Sequence, residues 1–498
     1  MGYRDRIALY CAAALATSFF ISNVVMPMWR GSCGLRVSIL HDDAKDVPIG
    51  SAFRPVSSSS LGPWYRPYTA SPAPTRILNH AAGWTIFENL YMSNGTFFVV
   101  RDLSPEELPE KKFVLSRSNF SYDNYYDFKA REPTDEDLQY ITPAEAARRW
   151  EYGAWGISGN TWIFPYPPVT LLRHYYHACA ETFLGAWRFW TGTFDPNVTP
   201  SGLTKAPPIN RMIFPFNGAD EWKDFPRLNA FFLFSAWPGL TVEEKDQWAD
   251  RVFLTRTGDK AWVYERVLLH DRAATSRELV VYPKERKIAA VAYEATLATS
   301  SPFWWEPVRR SVLQFSGVDK EIIDLALRYE ESDTPVITYI SRQRGRRRKL
   351  RDADHDKLVL ALEQLAVTRG WEFSVVDAQD MPPEKQLEIF ARSTILLGVH
   401  GNGLTHMMFM PPVPKATVIE LFYPGGLTHD YEWPARRAFQ FKHFAVWNDT
   451  YYTYPHPPHV KIGFPEGQNG DGGFQGNNIP VNGETVARLI EMRLDGKL

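Results

Sequence analysis

Cysteine is scarce, with Cys11, Cys33 and Cys179 the only three in 498 residues. So few exclude a disulfide scaffold, and their spacing excludes a zinc site built on cysteine pairs. A Cys33–Cys179 pair stays open, since nothing local demands it. Net charge is also nearly absent: 55 basic against 57 acidic side chains leave −2, which excludes polyanion binding through the overall field. No internal repeat is visible. The dinucleotide fingerprint G-x-G-x-x-G is missing as well: the turn Gly401-Asn402-Gly403-Leu404-Thr405-His406 carries His406 where the last glycine would stand. That argues against a nicotinamide or flavin oxidoreductase.

Aromatic side chains are plentiful at 14 %, which large cores and ring stacking on sugars or bases both explain. The length favours two domains with tails. Arg4 and Arg6 precede a mainly apolar run over 7–28. A bilayer-crossing helix needs about 20 such residues, and the basic flank favours a cytoplasmic N-terminus. We expect a cytoplasmic tail and signal-anchor helix over 1–30, with a cleaved signal as the competitor at Ala14-Leu15-Ala16. Ser- and Pro-rich sequence makes 31–76 a stem. The sequons at Asn94, Asn119, Asn197 and Asn448 fit a lumenal body.

The pattern over 83–91 and 96–100 predicts a hairpin across Ser93-Asn94-Gly95, and 263–270 a buried strand. Residues 279–282 and 289–293 read as further strands, and 171–190 as one helix. Beyond 335 the rhythm is regular. Strands are expected at 336–340, 373–376, 394–399 and 417–422, alternating with helices at 354–368, 383–392 and 404–410. That is an α/β pattern with a parallel sheet, whose ligands bind beyond the carboxyl ends of the strands. A short last helix is expected at 484–494.

The segment Gly398-Val399-His400-Gly401-Asn402-Gly403-Leu404-Thr405-His406 falls where a strand turns into a helix. Glycines there permit positive φ and close backbone approach, and free N–H groups favour an anion such as a diphosphate. His400 and His406 can add hydrogen bonds. Arg342, just past the first strand of this sheet, leaves by the same edge in a basic run containing Arg344, Arg346, Arg347 and Arg348, and a guanidinium there can fork onto phosphate oxygens. Glu420 stands among Ile419, Leu421 and Phe422 and therefore needs a partner, either a ribose or a basic group. His177 and Glu181, four apart on a helix, can form a proton-accepting pair, with Asp220, Glu221 and Asp224 as alternatives. Asp352-Ala353-Asp354 has the form of a metal-binding D-x-D, but its place before a helix favours capping, and no metal is expected.

The residues from 337 to 448 resemble glycosyltransferase family 61. The glycine turn carries the resemblance, together with Arg342, Gln386-Leu387-Glu388-Ile389-Phe390-Ala391-Arg392 and Val418-Ile419-Glu420-Leu421-Phe422. The resemblance implies two Rossmann-like domains facing a cleft in the GT-B manner, with an acceptor-side domain over 77–317, a nucleotide-sugar domain over 318–451 and a tail over 452–498. It implies an inverting transferase, xylosyltransferase- or O-GlcNAc-transferase-like, that uses a UDP-sugar without a metal cofactor and acts on a glycan or glycoprotein at the Golgi or endoplasmic reticulum membrane. His177, Glu181 or Asp220 would handle the proton. Arg342, Arg346, His400, Gly401, Asn402, Gly403, Thr405, His406 and Glu420 would hold the donor. Relatives place an Asp soon after the His, where this chain has Glu181. A lumenal glycan-binding protein without catalysis is the other reading.

Overall fold

The computed structural model describes residues 72–498 apart from 103–106, 118–128, 168–170, 280–286, 330–332, 346 and 464–472. The anchor, nearly all of the stem, Cys11, Cys33, Asn119 and Arg346 lie outside the described residues. Among the described residues no helix is long and apolar enough to cross a membrane.

Two sheets organise the body, a mixed α/β architecture. The first holds β1 (Arg76–Ala81), β2 (Trp84–Ser93), β3 (Thr96–Val100), β4 (Leu138–Ile141), β5 (Ala154–Ile163), β6 (Arg211–Ile213), β7 (Thr241–Glu243) and β8 (Ala261–His270). Its order is β4-β3-β2-β8-β5-β6-β7, with β1 also on β2. The expected hairpin is β2–β3, and its turn needs Asn94 at φ 50° and Gly95 at φ 83°, a pair suited to the tight hairpin turn. The pairing corrects a Rossmann-like expectation for this half. Strands β8, β5, β6 and β7 run parallel, but β2 is antiparallel to β8 and to β3, so the sheet is mixed.

Two further expectations change here. Residues 289–293 lie in the helix Ile288–Ala295, not in a strand, as an alanine-rich stretch prefers. The single helix over 171–190 is three pieces: a 3₁₀ turn at Leu171–Arg173, a π-helical stretch at His177–Phe183 and the α-helix Leu184–Phe194.

The second sheet follows the sequence closely. It contains β9 (Val336–Ile340), β10 (Glu372–Val376), β11 (Ile395–Val399), β12 (Thr417–Leu421), β13 (Lys442–Trp447) and β14 (Thr450–Tyr452), in the order β10-β9-β11-β12-β13-β14. All but the last are parallel. Every residue of β11 and β12 is buried, as a sheet covered on both faces requires. The helix Asp352–Arg369 covers one face. Its Leu358 and Leu362 share an apolar cluster with Val486, Leu489 and Ile490 of the C-terminal helix Gly483–Leu494. Its N-cap is Arg351, so Asp352 and Asp354 occupy the first turn rather than the cap. There they favour the helix dipole, and they also accept hydrogen bonds, Asp352 from Gln343 and Asp354 from the Val481 amide.

One apolar cluster runs from Trp84, Trp162 and Trp190 through Trp304 and Trp305 to Met407, Met408 and Phe441, and so joins the two sheets. Trp305 opens the helix Glu306–Phe315, and its indole N–H donates to the Met408 carbonyl at 2.8 Å. A buried bond of this kind stabilises by about 1 kcal/mol and would leave an orphaned donor if lost.

In the second sheet the chain leaves β9 toward β10, then returns past it to β11. That reversal makes the carboxyl ends of β9 and β11 the topological switch point, the place where open sheets of this kind bind their ligands.

Candidate active site

Ile340 pairs with Gly398 across β9 and β11, so the segments that follow emerge side by side. A methyl group built on Gly401 would stand 2.5 Å from Arg342 Nη1 and 3.1 Å from its Cζ, and one on Gly403 would stand 3.0 Å from Ile340 Cγ2. The glycines therefore serve close approach. Positive φ, the other expected reason, is not used: Gly401 is extended at φ 165°. The helix after the turn is 3₁₀, Asn402–Phe409, and it starts at the carboxyl end of β11, with the Leu404 N–H donating to the Gly401 carbonyl at 3.0 Å.

Arg342 donates to the Arg347 carbonyl at 3.4 Å, and its Nε is buried without a hydrogen bond. Burial depresses its pKa, the nearby Tyr431 hydroxyl opposes that, and the Arg347 charge adds to the depression. Arg348, at φ 60°, donates to Gln475 Oε1 at 2.9 Å and to the His400 carbonyl at 3.4 Å, and its guanidinium lies 5.1 Å from the Phe474 ring centroid. Its pKa is depressed by burial, then by Arg342 and Arg347. Among the described residues neither Arg342 nor Arg348 forms an ion pair. Like charges held together favour an anion between them, and the Asp430 carboxylate also acts on Arg348. Arg344 belongs to another set, paired with Asp377 and Asp380 on the surface.

His400 is mostly buried. Its Nδ1 bonds to Glu420 Oε1, and its Nε2 lies 3.8 Å from Asp430 Oδ2. Glu420 is fully buried between His400 and His443, whose Nε2 is 2.9 Å from Glu420 Oε2. Burial raises the Glu420 pKa, helped by Asp430 and Glu432, while burial lowers that of His400 to about 3. The partners of Glu420 are thus two imidazoles, and it positions His400 from beneath. His406 is a core residue: Nε2 bonds to Gln386 Oε1 at 2.8 Å, Tyr175 and Phe390 pack on the ring, and burial lowers its pKa to about 3. Thr405 is buried, and Asn402 is half-buried with its Oδ1 enclosed and unpartnered.

The π-helical stretch carries the other half of the site. His177 Nδ1 bonds to Glu181 Oε2 at 2.6 Å, and Arg272 Nη2 reaches the same oxygen at 2.7 Å. Burial would raise the Glu181 pKa, but Arg272, then His177 and Lys287, hold it well below the carboxylate range. Glu181 therefore stays ionised and orients His177, whose side chain is 22 % exposed. Such wide turns recur at functional sites.

Asp430 joins the two halves. It is ion-paired with Lys287, and its backbone carbonyl accepts from the Tyr176 hydroxyl at 2.6 Å. Burial opposes its ionisation, but Lys287 and His400 bring its pKa down to about 2. The fields of Glu181, Arg348 and Asp430 all act on His174, one turn before His177. Asp220 stands apart, 81 % exposed and paired with Arg227 at 3.2 Å. The Glu221 carboxylate caps the Gly218 amide, and Asp224 binds the Asn229 amide. Sequence reasoning placed Arg348 in the basic run without singling it out, and missed Lys287, Arg272 and Asp430. A signal did exist for Asp430, because His429-Asp430-Tyr431-Glu432 follows β12 at the same sheet edge as the glycine turn.

No curated protein matches the chain. Residues 225–419 match the family model described as glycosyltransferase 61, a span that is less than half the chain but includes the Arg342 loop and the whole glycine turn. The chain is similar to that family over strands that include β9, β10 and β11, and the similarity supports a glycosyltransferase with a sugar donor and an acceptor as its substrates.

Proposed function

We propose an inverting glycosyltransferase that moves a sugar from a UDP-sugar, xylose first and GlcNAc or arabinose next, to a hydroxyl of a glycan or glycoprotein. The two sheets would face each other as the halves of a GT-B enzyme, held by a type II anchor with the body in the Golgi or endoplasmic reticulum lumen. The observation that carries this reading is the pair Arg342 and Arg348, neither in an ion pair among the described residues, beside the Gly401 turn at the carboxyl ends of parallel strands.

In this reading the diphosphate lies on the backbone of 401–405 with Arg342 and Arg348 beside it. The bond between anomeric carbon and diphosphate oxygen breaks as the acceptor oxygen attacks from the opposite face. Negative charge grows on the leaving group, and guanidinium groups fixed in advance stabilise it. The acceptor hydroxyl proton goes to His177 Nε2, because Nδ1 is committed to ionised Glu181. Glu181 and Arg272 are positioning residues. Asp430, held by Lys287 beside His400, orders the boundary between donor and acceptor. Alignment of both substrates supplies much of the rate.

The test is a panel of UDP-sugars offered to the purified full-length chain. Turnover or hydrolysis of at least one donor is expected, with kcat/KM lowered about 100-fold or more in Arg342→Ala. Neither binding nor turnover across the panel would refute the reading. Donor or glycan binding with no turnover would favour the glycan-binding alternative.

A further inference from the structure

On either side of Asp430 and Tyr431 in the chain stand His429 and Glu432, members of a second polar cluster that the transfer reaction does not use. His429 and Glu432 stand just before the π-helical turn Pro434–Ala438, and His456 arrives from the chain beyond β14. The Glu432 carboxylate is fully buried, and the side chains of His429 and His456 are 8 % and 6 % exposed. One oxygen, Glu432 Oε2, meets His429 Nδ1 and lies 3.1 Å from His456 Nε2. One ligand atom from each of the three residues lies within 4.8 Å of the other two. The other oxygen, Oε1, faces Arg436 Nε at 3.5 Å.

We propose that His429 Nδ1, His456 Nε2 and Glu432 Oε2 bind a divalent transition-metal ion of the zinc type. Two imidazoles and one carboxylate are a ligand set for such an ion. In a tetrahedral set, ligand atoms about 2.0–2.2 Å from the metal stand roughly 3.3–3.6 Å apart. His456 Nε2 is near that spacing from Glu432 Oε2, and His429, now in direct contact with the same oxygen, moves back a little to admit the ion. The chemistry of the surroundings agrees. Arg436 on the non-ligating oxygen would fix the carboxylate in a monodentate pose, as outer partners of ligating carboxylates do. His429 Nε2 and His456 Nδ1, the nitrogens turned away from Glu432, are buried without hydrogen bonds, so among the described residues the hydrogen bonds of the two rings go to Glu432 alone. His443, on β13, feels the charges of Glu432, His456 and His429, and its Nε2 binds Glu420. The cluster is thereby linked through Glu420 to His400 at the glycine turn.

The role is structural. Asp430 and Tyr431 lie between two ligands, His429 and Glu432, so an ion there clamps the segment that holds Asp430 against Lys287 and near His400. The clamp ties that segment to the chain after β14. It stands independently of the identity of the donor.

The experiment uses the untagged full-length chain, purified without chelator, then stripped and titrated with Zn²⁺ and Co²⁺. Elemental analysis of the native protein should show a stoichiometric divalent metal. Co²⁺ should give the visible absorption of a low-symmetry nitrogen–oxygen site, and Zn²⁺ should raise the unfolding temperature of the stripped protein. Glu432→Gln and His456→Ala should each weaken metal binding by about 100-fold or more. If the wild-type chain takes up neither ion and its unfolding temperature does not move, the three side chains form a hydrogen-bonded cluster only and the proposal is overturned. Undiminished uptake in a His429→Ala, His456→Ala double variant would overturn it as well. The wild-type titration decides the matter even if a variant fails to fold.

Discussion

The Arg342 guanidinium occupies the space that a side chain on Gly401 would need: the distance from an added methyl to Nη1 is 2.5 Å. The obstructing group is the end of a long side chain, so Gly401→Ala can be accommodated by moving Arg342 rather than the backbone. We therefore expect Gly401→Ala to fold with nearly unchanged unfolding temperature while donor KM rises about tenfold or more. Thermal unfolding and donor saturation kinetics on the same preparation check both halves of the statement.

His177→Ala should lower kcat about 100-fold to 10⁴-fold with UDP affinity unchanged, because its place is with the acceptor proton rather than the diphosphate. Glu181→Gln should act through His177, lowering kcat and displacing the pH–rate profile. Steady-state kinetics against pH, with calorimetric UDP binding alongside, separate these effects. Asp220→Asn, on the exposed loop, should leave kcat within about twofold of wild type.

Acid stability follows from Asp430. Its folded pKa is about 2, below the ordinary aspartate value of about 3.9. A depressed carboxylate contributes stability that is fully present above the unfolded value and is lost as pH falls through the folded one. The window is therefore about pH 4 down to about 2, and the contribution is roughly 2 kcal/mol. Asp430→Asn should flatten this part of the acid limb, measured as urea midpoints from pH 5 to pH 2.

His406 should behave as core. His406→Ala removes a ring packed between Tyr175 and Phe390 and strands the Gln386 side-chain oxygen. A loss of about 2–4 kcal/mol in stability is expected, with donor KM little changed in the folded fraction. Urea unfolding and saturation kinetics check it.

The second sheet is legible in the sequence because parallel strands covered on both faces are apolar runs, and Ile395–Val399 and Thr417–Leu421 are such runs. The glycine turn and Arg342 follow from it, since both leave strands by one edge. The first half reads poorly. The π-helical stretch at His177–Phe183 has no periodic signature distinct from a helix, and the apolar stretch at 289–293 packs as a helix against Leu184–Phe194. Asp430 and Lys287, or Glu181 and Arg272, meet only after folding, and no local pattern announces pairs so distant in the chain. Glu420 was legible as a buried carboxylate in need of a partner, but not that the partners would be His400 and His443.

The most direct measurement is calorimetric titration of UDP into the wild-type chain, Arg342→Ala and Arg348→Ala. The anion-site account expects saturable binding to the wild type, weakened about tenfold to 100-fold by each substitution, and weakened further as salt is added. Equal affinity in all three proteins, or no UDP binding by the wild type, would contradict it.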